Sequence, residues 1–156
     1  MEVRRAVVDD CEGINSLLYQ VQQIHHLGRP DLFKGNTKKY TDSELEGIIV
    51  DNTRPIFVCV DDNNRVLGYA FCIFQERAEN DSVTALRTLY IDDLCVDEKC
   101  RNQHIGKTLC DYVVSFARKN GFDNITLNVW ELNPNARKFY DACGFLPQKT
   151  CMEMVL

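Results

Sequence analysis

The sequence predicts a mixed α/β domain built around one sheet. Two observations support this class. Short segments rich in β-branched and aromatic residues alternate with longer segments whose apolar residues recur every three or four positions. Their order, β-α-α-β-β-β-α-β-α-β, contains one crossover that joins parallel strands through a helix. The sequence shows no internal repeat and no linker, so the 156 residues are expected to form a single domain, 1–156.

The first half of the chain carries ordinary strand, cap and turn signals. Asp9, with Glu12 three residues later, comes close to a capping box for a first helix. Thr41 and Glu44 form a capping box for a second helix. The predicted elements are a strand at 3–8, a helix that ends near 27–28, a loop at 29–39, a helix from 41, and strands at 55–60 and 66–74 around a turn at 61–64.

The second half contains a long strand, an amphipathic helix and a short helix that begins with proline. One face of the amphipathic helix carries Ile105, Leu109, Val113, Phe116 and Ala117. Gly121 supplies its stop signal, and Pro134 takes the first position of the short helix. The predicted elements are a strand at 85–96, the helix from 105, a strand at 122–130, the short helix from 133, and a last strand at 151–155.

A short polar loop, residues 101–107, leads from the long strand directly into the amphipathic helix. At such a junction consecutive backbone N–H groups converge on one hollow, and the helix dipole adds partial positive charge. Arg101 and Lys107 add full charges. The loop therefore suits a pyrophosphate group, although an ordinary strand–turn–helix connection explains the pattern equally well.

The loop resembles the acetyl-CoA-binding motif of the GNAT superfamily of N-acetyltransferases. Arg101, Ile105 and Gly106 match that motif, whereas His104 replaces its first glycine and Asn102 stands where a further glycine is common. Both Asn and His tolerate positive φ better than most residues, so the cradle is expected to persist. The resemblance implies that acetyl-CoA binds here. It implies contacts from the loop residues Arg101, Asn102, Gln103, His104, Ile105, Gly106 and Lys107.

A second motif, N-P-N-A-R-K-F-Y-D-A-C-G-F at 133–145, strengthens the resemblance. Asn133, Ala136, Phe139 and Tyr140 match the family pattern and are thereby implied as cofactor-binding residues. The family implies a central, mostly antiparallel mixed sheet with helices on both faces. It also implies that Tyr140 protonates the departing CoA thiolate, a role that suits a phenol with a pKa near ~10. The alternative is a tyrosine that only packs beside the cofactor.

The strand that precedes the loop carries two adjacent carboxylates, Asp92 and Asp93. In a regular strand they point to opposite faces, so only one faces the acceptor. The strand resembles that of small-amine acetyltransferases. The resemblance implies that Asp92 is the base that accepts the amine proton through water, and that it contacts the substrate. A structural carboxylate is an equally good interpretation of Asp92, and Asp93 stays a second candidate. The backbone of Leu94, Cys95 and Val96 is implied to bind the pantetheine arm.

The resemblance implies an N-acetyltransferase acting on a primary amine by direct attack. The acceptor is expected to be a small amine, such as a polyamine or amino sugar, or a peptide or protein amine. Phe33 is a candidate for the substrate wall, with loop packing as its alternative. His25 and His26 are expected to be surface residues at a helix end, with a substrate contact or a proton relay as the alternative. A rival function is a non-catalytic module that binds CoA. A nucleotide-binding protein is disfavoured because the loop lacks the spacing of a P-loop.

Composition narrows the classes of partner. The net charge of −5 without a basic patch argues against nucleic acid, and no apolar run of ~20 residues predicts a membrane span. With no export signal, a cytoplasmic location is expected, and the eight cysteines are expected to be reduced core residues. No spacing of histidines and acidic residues predicts a metal site. The predicted last strand, at a sheet edge, predicts a homodimer.

Overall fold

The computed structural model describes all residues from Met1 to Leu156. It contains five strands and four α-helices in chain order. These are β1 (Glu2–Arg5), α1 (Cys11–Gly28), α2 (Asp42–Val50), β2 (Ile56–Val60), β3 (Val66–Arg77), β4 (Leu86–Val96), α3 (Ile105–Lys119), β5 (Asn124–Leu127) and α4 (Pro134–Ala142). The strands form one sheet in the order β1-β2-β3-β4-β5, with only β4 and β5 parallel. The predicted mixed, mostly antiparallel sheet is therefore confirmed.

Helices cover both faces of this sheet, as the resemblance implied. On the face called here the α1–α2 face, apolar residues of α1 and α2 pack on alternate residues of β2, Ile56, Val58 and Val60. On the opposite α3 face, the apolar stripe of α3 packs on the intervening residues Phe57 and Cys59. All five β2 residues are buried, because successive side chains of this interior strand point alternately into the two helix-covered layers.

Several helix signals behave as predicted. The Thr41 hydroxyl accepts from the Glu44 N–H, and the Glu44 carboxylate accepts from the Thr41 N–H at 2.8 Å, which completes the capping box of α2. Gly121 follows the end of α3 with φ of +69°. Five of the eight cysteines are buried, and all are free thiols.

The expected cap of the first helix was wrong. Asp9 caps nothing, because residues 8–10 form a 3₁₀ turn and α1 begins at Cys11 without a side-chain cap. The buried Asp10 carboxylate instead accepts from the Val7 N–H at 2.8 Å and from Arg4 at 2.7 and 2.9 Å. This ion pair stabilises the turn in which the chain leaves the sheet. β1 therefore ends at Arg5 rather than at residue 8.

The predicted last strand at 151–155 was also wrong. From residue 146 onward no backbone group forms a hydrogen bond to another backbone group, and the apolar side chains of the tail are exposed. A strand requires a neighbour for its N–H and C=O groups, and the tail instead reaches Arg29, which binds the Glu153 carboxylate at 2.9 and 3.1 Å. β5 is likewise shorter than predicted, ending at Leu127, and its outer edge has no partner strand.

Candidate active site

The loop between β4 and α3 forms a cradle of unpaired backbone N–H groups. Asn102 and His104 adopt positive φ values of 62° and 60°, so the two residues that replace glycine take the conformation expected of them. His104 precedes α3, and its side chain does not cap the helix. The first helical hydrogen bond is donated by the Thr108 N–H to the His104 carbonyl. The N–H groups from Arg101 to Lys107 find no acceptor within the protein. Such an array is suited to an anion.

The sequence predicts two free positive charges at the cradle, and the structure differs from this expectation at one residue. Lys107 pairs with Asp111 one turn along α3, so its charge is partly satisfied by the helix itself. Arg101 is exposed and forms no ion pair in the protein. Gln103 is exposed beside it. The free positive charge of the cradle therefore comes from Arg101 and the α3 dipole.

Helix α4 packs directly on the start of α3. A Cβ atom added at Gly106 would lie 3.2 Å from Cε2 of Phe139 and 3.5 Å from a methyl group of Val96. Glycine at this position therefore lets α4 approach both the cradle and the end of β4. Asn133 caps the start of α4 by accepting a hydrogen bond from the Ala136 N–H at 3.0 Å. These two predicted cofactor-binding residues therefore also have a structural role.

Tyr140 lies on α4 with its ring against Phe139 and Phe145, at centroid distances of 5.1 and 5.7 Å. Its hydroxyl forms no hydrogen bond in the protein, which distinguishes it from Tyr40 and Tyr69. Desolvation and the neighbouring Asp93 carboxylate raise the pKa of Tyr140 well above its ordinary value. The phenol is therefore protonated at neutral pH and free to donate.

Strand β4 has an open edge where it leaves β5. The parallel pairing runs from Thr88 opposite Asn124 to Ile91 opposite Leu127 and then stops. Beyond this point β4 continues to Val96 with β3 on one side only. The backbone of Leu94, Cys95 and Val96 therefore has no partner strand on one edge, which suits an extended ligand. The edge leads toward the cradle.

A bulge in β4 changes the expected geometry of the two aspartates. Phe71 pairs with Asp93 and Cys72 with Ile91, so Asp92 is the extra residue. Ile91 packs on the α3 face and Cys95 packs on the α1–α2 face. In a regular strand two residues four positions apart would lie on the same face, so the bulge has changed the alternation. Asp92 and Asp93 consequently both lie on the α1–α2 face. The expectation that they point to opposite faces was wrong.

Asp92 is held by two residues of the loop before α2. Its Oδ2 atom accepts from Lys39 Nζ at 2.6 Å and from the Tyr40 hydroxyl at 3.1 Å. The Tyr40 ring stacks on Phe71 of β3, with a centroid distance of 5.7 Å. Oδ1 of Asp92 has no donor, and 17% of the side chain is exposed. One carboxylate oxygen therefore remains available to a ligand or water.

Asp93 occupies a drier environment than Asp92. The fully buried Tyr69 donates its hydroxyl to Oδ2 of Asp93 at 2.7 Å. Desolvation raises the pKa of Asp93 to about 6, with the nearby Asp92 charge adding to the effect and the Tyr69 hydrogen bond and Lys39 opposing it. The pKa of Asp93 is thus close to neutral pH. The direct ion pair with the Lys39 ammonium belongs to Asp92 instead.

Phe33 lies in an aromatic pocket with His25 and Trp130. Its ring is 4.9 Å from that of His25 and 5.5 Å from that of Trp130, which approaches edge-on. The His26 ring bonds the Phe33 carbonyl at 2.7 Å, so both histidines hold this loop rather than only capping α1. Burial, and in second place the Lys39 charge, lower the pKa of His25, which leaves a neutral ring. The pocket presents an uncharged aromatic wall.

Comparison with known proteins identifies the fold. The family model described as "Acetyltransferase (GNAT) family" matches residues 21–145. The chain belongs to this family. A variant of the BH1408 protein from Bacillus halodurans superposes with a TM-score of 0.96 at 29% identity, covering 100% of this chain and 99% of that one. An aminoglycoside acetyltransferase from an uncultured soil metagenomic sample, in complex with sisomicin, superposes at 0.70 with 20% identity, covering 99% and 95%.

A curated relative matches over a shorter stretch. "Probable N-acetyltransferase camello" of Xenopus laevis is 40% identical over 57 residues, which is 36% of this chain and 26% of the length of that protein. The family match makes this chain a member of an acetyltransferase family, and the aminoglycoside acetyltransferase shares its fold. No helix is long and apolar enough to cross a membrane, and no three His, Cys, Asp or Glu side chains are grouped to hold a metal ion.

Sequence reasoning missed four side chains of this site: Lys39, Tyr40, Tyr69 and Trp130. Tyr69 reaches Asp93 only because of the register between β3 and β4, which no local pattern specifies. Lys39 and Tyr40 come from a loop without periodicity. Trp130, the single Trp of the chain, lies beyond the end of β5 and was the one signal that could have been used, since Trp is enriched at binding sites.

Proposed function

We propose that this protein is an N-acetyltransferase that moves the acetyl group of acetyl-CoA to a primary amine by direct attack. The observation that carries the proposal is the Tyr140 hydroxyl, protonated and without a partner, on the helix that packs against the cradle. A hydroxyl without a partner in the protein is available to a ligand, and a proton donor requires such a hydroxyl.

The cofactor is expected to follow the open elements of the site. Its pyrophosphate would bind the N–H groups of the loop from Arg101 to Lys107. Its pantetheine amides would pair with the free edge of β4 along Leu94, Cys95 and Val96, as an added strand does. Phe139 closes the space behind Gly106. The thioester would then lie near Tyr140 and the two aspartates.

Acyl transfer from a thioester to an amine requires a neutral amine and protonation of the leaving thiolate. Oδ1 of Asp92, which has no donor in the protein, would accept the ammonium proton directly or through one water molecule. Asp93, with its pKa near 6, is the second candidate for this step. Tyr140 donates its hydroxyl proton to the CoA thiolate and is reprotonated by solvent. The aspartate thus accepts one proton, and Tyr140 donates one.

The acceptor is expected to place its amine at Asp92 and its body against the aromatic pocket of His25, Phe33 and Trp130. This wall suits the apolar face of an amino sugar, a polyamine chain or a peptide side chain. One structural neighbour is an aminoglycoside acetyltransferase, which makes amino sugars a first choice for testing. We further propose that the protein acts in the cytoplasm as a homodimer.

A panel of amines tests the proposal. The purified chain is mixed with acetyl-CoA and polyamines, amino sugars or lysine peptides, and the release of the CoA thiol is followed, with acetylated products identified by mass. Turnover of one class above the rate without enzyme supports the proposal. Tight binding of acetyl-CoA with no turnover on any amine would instead favour a non-catalytic CoA-binding module.

A further inference from the structure

One lysine of the protein contacts the carboxylate that is proposed to bind the acceptor amine. Nζ of Lys39 lies 2.6 Å from Oδ2 of Asp92, and the Tyr40 hydroxyl bonds the same oxygen. Among the eight lysines of the chain, it is the one whose ammonium contacts either aspartate of the bulge. Its charge is also close enough to Asp93 and His25 to shift the pKa of both groups.

The loop that carries Lys39 is fixed to α1 at several points, which limits the movement of the backbone before this lysine. Gln22 donates to the Lys34 carbonyl at 2.8 Å, and the His26 ring bonds the Phe33 carbonyl at 2.7 Å. The adjacent Lys38 points away and bonds Asn15 at 2.8 Å as well as Asp42. Two neighbouring lysines are therefore directed to different partners.

From this placement we infer that Lys39 is a site of self-acetylation, an activity that rests on the proposed acetyl-transfer function. With acetyl-CoA on the edge of β4, Asp92 accepts a proton from the Lys39 ammonium and the neutral Nζ attacks the thioester carbonyl. The N–C bond forms and the C–S bond breaks. The CoA thiolate takes the Tyr140 proton. Asp92 releases the first proton to solvent and then passes the second proton of the nitrogen to solvent, and solvent returns one proton to the Tyr140 phenolate, so the products are acetyl-lysine, free CoA and one proton.

The proximity of the amine favours the reaction within one chain. A reacting group held in place has an effective concentration far above that of a free amine. Acetylation would remove the positive charge of Lys39 and its ion pair with Asp92. The Asp92 carboxylate would then keep only the Tyr40 hydroxyl as a partner. Self-acetylation would thus change the charge that an incoming cationic acceptor meets.

Mass spectrometry of the full chain provides the test. The chain is incubated with acetyl-CoA alone, digested, and the acetylated fraction of each lysine is measured over time. We expect Lys39 to be modified at least about tenfold faster than the exposed Lys34 and Lys149, because it alone is held at the site. The first-order rate should not depend on protein concentration. Lys38→Arg should leave modification of Lys39 unchanged, and Tyr140→Phe should slow it.

The results separate this inference from the proposed function. Turnover of a free amine with Lys39 unmodified would overturn self-acetylation and leave the proposed function standing. Modification that follows exposure, with Lys34 and Lys149 as reactive as Lys39, would show uncatalysed chemistry and also overturn it. A rate that rises with protein concentration would indicate transfer between chains and contradict the inference. No turnover on any amine, together with no modification, would overturn both proposals.

Discussion

Asp92 and Asp93 are adjacent in the chain and yet lie on the same face of β4. The bulge opposite Phe71 and Cys72 produces this arrangement by inserting one residue into the strand. Two carboxylates then share one site with Lys39, Tyr40 and Tyr69 as partners. The two acids differ in environment, and this difference makes their roles separable by experiment.

The raised pKa of Asp93 predicts a pH-dependent cost in stability. Its folded value of about 6 lies above the ordinary 3.8, so between these values the folded protein binds a proton that the unfolded chain does not. The contribution of Asp93 to stability therefore falls as pH rises from about 4 to 6. Asp93→Asn, which cannot ionise, should gain about 1–3 kcal/mol relative to wild type between pH 4 and pH 8. Urea unfolding at the two pH values measures this gain, and an equal difference at both would contradict it.

Replacement of Asp92 should change the pH profile of turnover. If Asp92 accepts the amine proton, Asp92→Asn leaves the reaction dependent on amine that is already neutral in solution. Activity should then fall near neutral pH and recover toward high pH, where a primary alkylamine with a pKa near ~10.4 loses its proton. Rates measured from pH 6 to about 10 test this expectation. A uniform loss across the range would assign Asp92 to positioning and move the base to Asp93 or water.

A negative charge added to the cradle should weaken cofactor binding. Gln103 is exposed in the loop, so Gln103→Glu keeps the shape and adds one charge near the expected pyrophosphate. We expect affinity for acetyl-CoA to fall about tenfold at low salt and less at high salt. The matched control is Gln75→Glu, exposed at the opposite end of β3 from the cradle. Equal affinities of the two variants, measured by calorimetry, would argue against the cradle.

Most of the fold could be predicted because it depends on local signals. The apolar stripe of α3, the Thr41–Glu44 capping box and the positive φ at Asn102 and His104 all follow from neighbouring residues. The bulge at Asp92 could not be predicted, because it depends on the pairing of β4 with a distant strand. The last strand was predicted from β propensity alone, yet the tail has no neighbour to pair with. The contact between Lys39 and Asp92 spans 53 positions and has no local signature.

The exposed tail provides the test of the expected homodimer. Its apolar side chains, Met152, Met154, Val155 and Leu156, are each more than four-fifths exposed, and the outer edge of β5 is unpaired. Both features favour association with a second copy. Sedimentation at micromolar concentration should show a dimer, and removal of residues 150–156 should convert it to a monomer. A full-length chain that sediments only as a monomer would contradict the expectation.

The Tyr140→Phe variant tests the central claim most directly, because it keeps the ring between Phe139 and Phe145 and removes only the hydroxyl. Acetyl-CoA affinity, measured by calorimetry, should change little. Turnover on the best amine of the panel, measured by CoA thiol release, should fall by about 10²–10⁴-fold, the usual contribution of a positioned acid. If the variant instead loses cofactor affinity and keeps its turnover, Tyr140 is a packing residue and the proposed mechanism is wrong.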